Sequence, residues 1–287
     1  MASGAAIAAC ATIVERDDPH LYATALFAPE PARSRLMVLY AFDCELSRAA
    51  SASAESLIPR MRLQWWRDVI QEAATGGEPK AHEVAGPLAR LIQTDPALIS
   101  DIQELNGGDL LSRMTSGFEC ELSAPFTSDS FDDWARDRFG SRLGLAGSIS
   151  PLGPEFGHDA DDSAACRVLA YGLALRTAAR MAASSGRTLL PDLRGEDLAA
   201  LGRGEVSANL QKSLAERASA SITALRSLRG TRRLRGEALV AHLPIRREAR
   251  VIAKVARNPA IITKLPDEKV RPFEGLGLAL AVWRRRW

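Results

Sequence analysis

The strongest pattern in the chain lies between positions 33 and 51, where Leu36, Leu39, Tyr40, Phe42 and Leu46 recur at helical spacing with no Gly or Pro to interrupt them. The spacing predicts a buried helix. Before it, 3–15 reads as a first helix, Asp18-Pro19 opens a short second one, and 27–31, with two prolines, is the turn between. After it, MRLQWWRDVIQEA predicts a helix over 56–74 that packs through Trp65, Trp66, Val69 and Ile70 and ends at Gly76-Gly77.

A short helix is expected over 84–93, and another from Pro96 running toward Leu122. Hydroxyls followed by Asp129, Asp132 and Asp133 mark a helix start, where acids suit the macrodipole; that helix carries Phe131, Trp134, Phe139, Leu143 and Leu145 and stops near Pro151. Asp159, Asp161 and Asp162 repeat the pattern at the head of a helix ending near Ser185. Then come a loop over 192–204 with one helical turn, a long helix over 206–228, a basic connector over 229–235, and helices near 237–242 and 244–257. No segment alternates over strand length and no repeat appears, so the architecture is expected to be all-α, one domain over 1–287.

Composition adds limits. The net charge of +2 gives no global argument for nucleic acid, but the segment 242–287 holds eleven basic residues against four acids, so the rest of the chain is acidic. Cys10, Cys44, Cys120 and Cys166 are far apart and form no C-x-x-C, which favours buried free thiols in a reducing compartment over zinc or disulfides. The first residues lack the basic start of a secretory signal, and no stretch reaches the roughly 20 apolar residues of a spanning helix. The expected place is cytoplasmic, at most peripheral to a membrane. His20, His82, His158 and His242 stand in unrelated settings, so no hydrolase triad or metal cluster is expected.

The run Leu39-Tyr40-Ala41-Phe42 resembles the first substrate-binding helix of the squalene/phytoene synthase family, which joins two prenyl diphosphates head to head. The turn and helix start over 20–42, the GFECEL segment with Glu121 at an aspartate position, and the helix with Trp134, Gly140, Ser141 and Gly144 are similar to further family segments. The resemblance implies an isoprenoid-synthase-like helical bundle. It also implies two Asp-rich magnesium motifs, and here the matched positions of the first are Ser47, Arg48 and Ser51. In the second, Arg176 and Ala179 stand for Gln and Asn, and Ala182-Ala183 for Arg-Asp, before an exit Arg187-Thr188-Leu189-Leu190-Pro191. The degenerate cavity positions are therefore Asp43, Ser47, Arg48, Ser51, Arg176, Ala179 and Ala183, with no catalytic residue, metal ligand or cofactor expected.

Glu45-Leu46 after Tyr40-Ala41-Phe42, together with Leu63 to Asp68, resembles the non-catalytic branch of the family associated with assembly of respiratory complex I. That likeness implies complex I subunits or assembly intermediates as partners, through transient assembly or as an accessory subunit. Two other readings stay open at this point: an active prenyl transferase with a displaced metal site, and a non-reacting isoprenoid- or lipid-binding module. Asp43 could bind one ion or sit in a buried ion pair, with Arg176 as its expected partner. Asp68 and Glu72 suit a solvated face. At the C-terminus, Leu276, Leu280, Trp283 and Trp287 fall near one helical face beside Arg284, Arg285 and Arg286; this is either a solvated helix end or a membrane or partner anchor.

Overall fold

The computed structural model describes residues 3–52, 56–105, 109–148, 160–231, 236–265 and 274–283. Among them there are helices and no strand. In chain order the helices are α1 (Gly4–Asp17), α2 (Pro19–Ala25), α3 (Ala32–Ala50), α4 (Leu57–Ala74), α5 (Ala85–Thr94), α6 (Pro96–Leu105), α7 (Leu110–Glu121) and α8 (Ser128–Ala135). A π-turn (Arg136–Gly140) follows, then α9 (Ser141–Ser148), α10 (Ala160–Ser185), α11 (Gly195–Gly202), α12 (Ala208–Thr231), α13 (Gly236–His242), α14 (Ile245–Arg257), a 3₁₀ turn (Pro259–Lys264) and α15 (Glu274–Trp283).

Helix α3 is the centre of the first half. From Leu36 to Cys44 every side chain is buried, so the helix is wrapped on all sides rather than amphipathic. It packs on α1, α2, α4, α5, α7 and α9. Its Phe42 meets Trp66 of α4 edge to face, with ring centroids 5.3 Å apart. The second half is built on α10, which packs against α8, α11, α12, α14 and the π-turn.

Helix ends are set by local chemistry. Asp18 caps α2 by accepting from the His20 and Leu21 amides, and Thr127 with Ser130 forms a reciprocal capping box at α8. The helix expected to run from Pro96 toward Leu122 is two helices, because Asp109 accepts from the Ser112 amide at 2.9 Å and starts α7 afresh. The long helix expected from 128 toward Pro151 is continuous only through the π-turn. The 192–204 segment holds two helical turns, α11, rather than one.

Two close approaches place the cavity walls. A Cβ on Gly117 of α7 would lie 2.7 Å from the Arg138 backbone, and one on Gly172 of α10 would collide with the Glu248 side chain of α14. Glycine at these points lets neighbouring helices draw together.

Some side chains depart from expectation. Trp65 was expected in the packing face of α4; it is 37% exposed, because the face that meets α3 carries Leu63, Trp66 and Ile70 instead. Cys120 is exposed, while Cys10, Cys44 and Cys166 are buried, none of them in a disulfide. Asp68 and Glu72 lie on an exposed face, Glu72 paired with Lys80 at 2.6 Å.

Candidate functional site

Helices α3 and α10, with α1, the π-turn and α14, wall a cavity of about 1000 Å³ open to the surface. Of the positions singled out from sequence, Asp43, Ser47, Arg48, Ser51 and Arg176 line it. Ala179 and Ala183 do not: Ala179 packs against the core and Ala183 is exposed. The inward face of α10 carries Leu173, Arg176, Thr177, Arg180, Met181 and Ser184, which is the i, i+3, i+4, i+7 stripe one residue on from the expected register. Arg180 and Ser184 are thus wall residues that the motif positions in the sequence do not point to. The helical stripe running back from Ser184 through Arg180 and Thr177 to Leu173 was the signal that could have found them.

The floor is a closed ionic network. The Asp43 carboxylate accepts from Arg138 through one oxygen and from Arg142 at 3.2 Å through the other. All three side chains are at most 8% exposed. The π-turn brings Arg138 inward, where its guanidinium lies 3.5 Å from the centroid of Phe118 and its Nε donates to Glu121 at 3.2 Å. Glu121 also accepts from the Trp134 indole at 3.2 Å. Burial keeps the Glu121 carboxyl above its ordinary pKa despite the charge of Arg138. Burial also pushes the Cys44 thiol well above its usual range, so it stays protonated and unreactive.

Asp43 and Arg176 were expected to pair, and they do not. Arg176 instead donates to both oxygens of Glu248, at 3.1 and 3.0 Å, reaching across to α14. Arg247 donates to Glu248 at 2.8 Å and to Asp18 at 3.1 and 3.3 Å. Burial alone would raise both carboxylates. The Arg176 and Arg247 charges outweigh it for Glu248, and Arg247 with the Leu21 amide outweighs it for Asp18, whose pKa falls to about 2. On the α1 side of the cavity, Asp17 takes Arg48 at 2.5 Å and Arg16 at 2.8 Å.

Of the proposed anchor, Trp283 ends α15 and is 77% exposed, with Leu280 exposed beside it. Arg284, Arg285, Arg286 and Trp287 lie outside the described residues, as do Asp159, His158 and Pro151. No described helix is long and apolar enough to cross a membrane.

The family model for squalene/phytoene synthase matches residues 14–272. The chain belongs to that family. Among solved structures, a dehydrosqualene synthase crystallised with a ligand is 15% identical, covers 98% of this chain and 96% of its own, and superposes with a TM-score of 0.67. The squalene synthase HpnC from Alicyclobacillus acidocaldarius is 16% identical over 88% of this chain and 94% of its own, with a TM-score of 0.64. At such identities these likenesses establish the fold, an isoprenoid-synthase-like bundle, and nothing finer. No curated protein matches the chain.

Proposed function

We propose that this chain is a non-catalytic member of the squalene/phytoene synthase family that acts through protein contacts, in assembly of respiratory complex I or as an accessory part of it. The observation that carries the first half is the state of the cavity carboxylates. Magnesium needs near-octahedral oxygen ligation, and carboxylates must hold it against its waters. Each of the five carboxylates lining this cavity, Asp17, Asp18, Asp43, Glu121 and Glu248, is already engaged by at least one arginine. The matched motif positions offer serine and arginine, and the facing wall offers Thr177, Arg180 and Ser184. That donor set does not fit a diphosphate-bridging magnesium cluster. At an effective dielectric near 20, each missing carboxylate contact is worth on the order of a few kcal/mol to a bound cation.

The complex I reading draws support from the Glu45-Leu46 and Leu63-to-Asp68 resemblance. A surface for such contacts exists on the same helix: Leu57, Ile58 and Met61 are 67%, 44% and 64% exposed, and Trp65 continues their stripe on α4. Two experiments test the proposal. Incubation with farnesyl or geranylgeranyl diphosphate and magnesium should release no pyrophosphate, and turnover at an enzyme-like rate would overturn it. Affinity purification of the tagged protein from its native membranes should recover complex I subunits; repeated recovery without any would remove the second half. The open cavity favours one further reading, a module that holds a ligand without reacting it.

A further inference from the structure

We infer that the first turns of α4 are a docking surface for an anionic lipid bilayer, with Leu57, Ile58, Met61 and Trp65 entering the headgroup layer and Arg62 meeting lipid phosphate. This occupant is narrower than the protein contacts named above and does not depend on the state of the cavity. Four of the seven large apolar side chains exposed among the described residues stand on this one helix. At about 100° per residue, Leu57, Met61, Trp65 and Ile58 fall within one sector of about 100°, so they form a patch rather than a scatter. Leu63, Trp66 and Ile70 take the opposite face into the core, which turns the stripe outward. Trp65 is held in place there: its ring lies edge-on to Trp66 at 4.8 Å and tilted on His82 at 5.5 Å. A side chain already ordered in the free protein loses little entropy on insertion.

Charge decides the kind of surface. From Ser56 to Arg67 the helix carries three arginines and no acid, and Asp68 and Glu72 come in only where the stripe ends. Arg60 and Arg67 share Glu119, at 3.3 and 2.5 Å. Arg62 is exposed beside the stripe and has no carboxylate partner among the described residues. A helix with Leu, Ile, Met and Trp on one face and Arg at its edge suits an interface, where the guanidinium reaches the phosphates and the apolar side chains pass beneath them. Leu57 to Trp65 rises only about 12 Å along the axis, enough for the headgroup boundary and too short for a crossing. Asp68 and Glu72 keep the later turns out of an anionic layer. A second copy of the chain fits less well, because two such helices laid antiparallel, stripe on stripe, would bring flanking arginines to flanking arginines.

The test is flotation of the full-length protein with vesicles of phosphatidylcholine alone and of equal parts phosphatidylcholine and phosphatidylglycerol. The expected result is binding to the mixed vesicles that weakens as salt rises and is about tenfold weaker on phosphatidylcholine. Ile58→Asp and Met61→Asp should each weaken it about tenfold, since a carboxylate enters the apolar layer. Arg62→Gln should weaken it about fivefold on the mixed vesicles only. Leu26→Asp, at an exposed apolar position at the end of α2, should change nothing. Circular dichroism checks that each variant is folded. Absence of binding to the mixed vesicles, or binding indifferent to both α4 aspartate variants, overturns the proposal. Binding lost in Trp283→Asp but kept in both of those variants gives the membrane contact to α15 and overturns it as well. So does a dimer in sedimentation equilibrium that Met61→Asp dissociates, without vesicle binding, which gives the stripe to a second copy. Complex I subunits lost from the purification in Met61→Asp, again without vesicle binding, give the stripe to a protein and keep the proposed function. Pyrophosphate release by a protein that still binds the mixed vesicles through α4 removes the non-catalytic reading and supports the bilayer surface.

Discussion

The floor and the rim of the cavity are both rich in arginine, and they use it in opposite ways. On the floor, Arg138 and Arg142 close on Asp43 with almost no solvent contact. At the rim, Arg180 and Arg187 stand beside serine with no carboxylate to neutralise them. Buried opposite charges in mutual contact hold structure together once formed, because removing one leaves the others desolvated and unpaired. Unpaired charge at a wet edge contributes little to stability and remains available to a ligand. The difference teaches that charge count alone does not locate a binding surface; what matters is which charges are already spent.

Variants can break that contrast at either end. Asp43→Ala should have the largest effect, a loss of about 3–5 kcal/mol in urea unfolding, because buried Arg142 loses its carboxylate and buried Arg138 keeps only Glu121. Replacing Arg142 by Met in the same chain should return part of the loss, and a strictly additive cycle would show that the two do not communicate. Gly172→Ala should cost about 1–3 kcal/mol, since the new methyl group displaces Glu248 and loosens its hold on Arg176.

Asp18→Asn should come next, at roughly 2 kcal/mol near neutral pH, because the amide can still cap α2 but cannot hold Arg247 as an ion pair. The folded-state pKa of Asp18, about 2, lies below its ordinary 3.8. Its contribution is therefore complete above pH 4 and is lost as pH falls through 2, so the variant should flatten the acid limb of the stability profile between those values. Glu121 has the opposite sign: its raised pKa means that ionisation opposes folding, and that penalty disappears as acid protonates it. Ser184→Asp should move stability in urea unfolding least, within about 0.5 kcal/mol for an exposed position. A large stability change there would erase the distinction between floor and rim.

Much of the fold could be read from the chain, and the reasons are local. The apolar spacing from Leu36 to Leu46, the Asp18-Pro19 start and the Gly76-Gly77 stop each act within a few residues, and the helices they predict are present. The break before α7 is marked in the sequence as well, since Asn106-Gly107-Gly108 stands directly before Asp109, a residue suited to an N-cap, so a single helix from Pro96 toward Leu122 runs against local signals. The site was less legible. That Asp43 meets Arg138 and Arg142 depends on contacts 95 and 99 residues apart, and that Arg176 meets Glu248 on one 72 residues apart. No spacing rule reaches so far. The α10 register slipped by one position because alanine at 178, 179, 182 and 183 gives little apolar contrast around the helix.

The π-turn at Arg136–Gly140 carries a consequence for how this helix can change. A widened turn absorbs one extra residue in an otherwise regular helix, so straightening it with every residue kept would rotate one half against the other by about 100°, whereas deleting a single residue there would leave the two halves in phase. Upstream, Phe131 and Trp134 sit in an aromatic cluster with Phe126 and Tyr171; downstream, Arg142 faces Asp43. A straightened helix could keep the ring stack or the inward guanidinium, but not both.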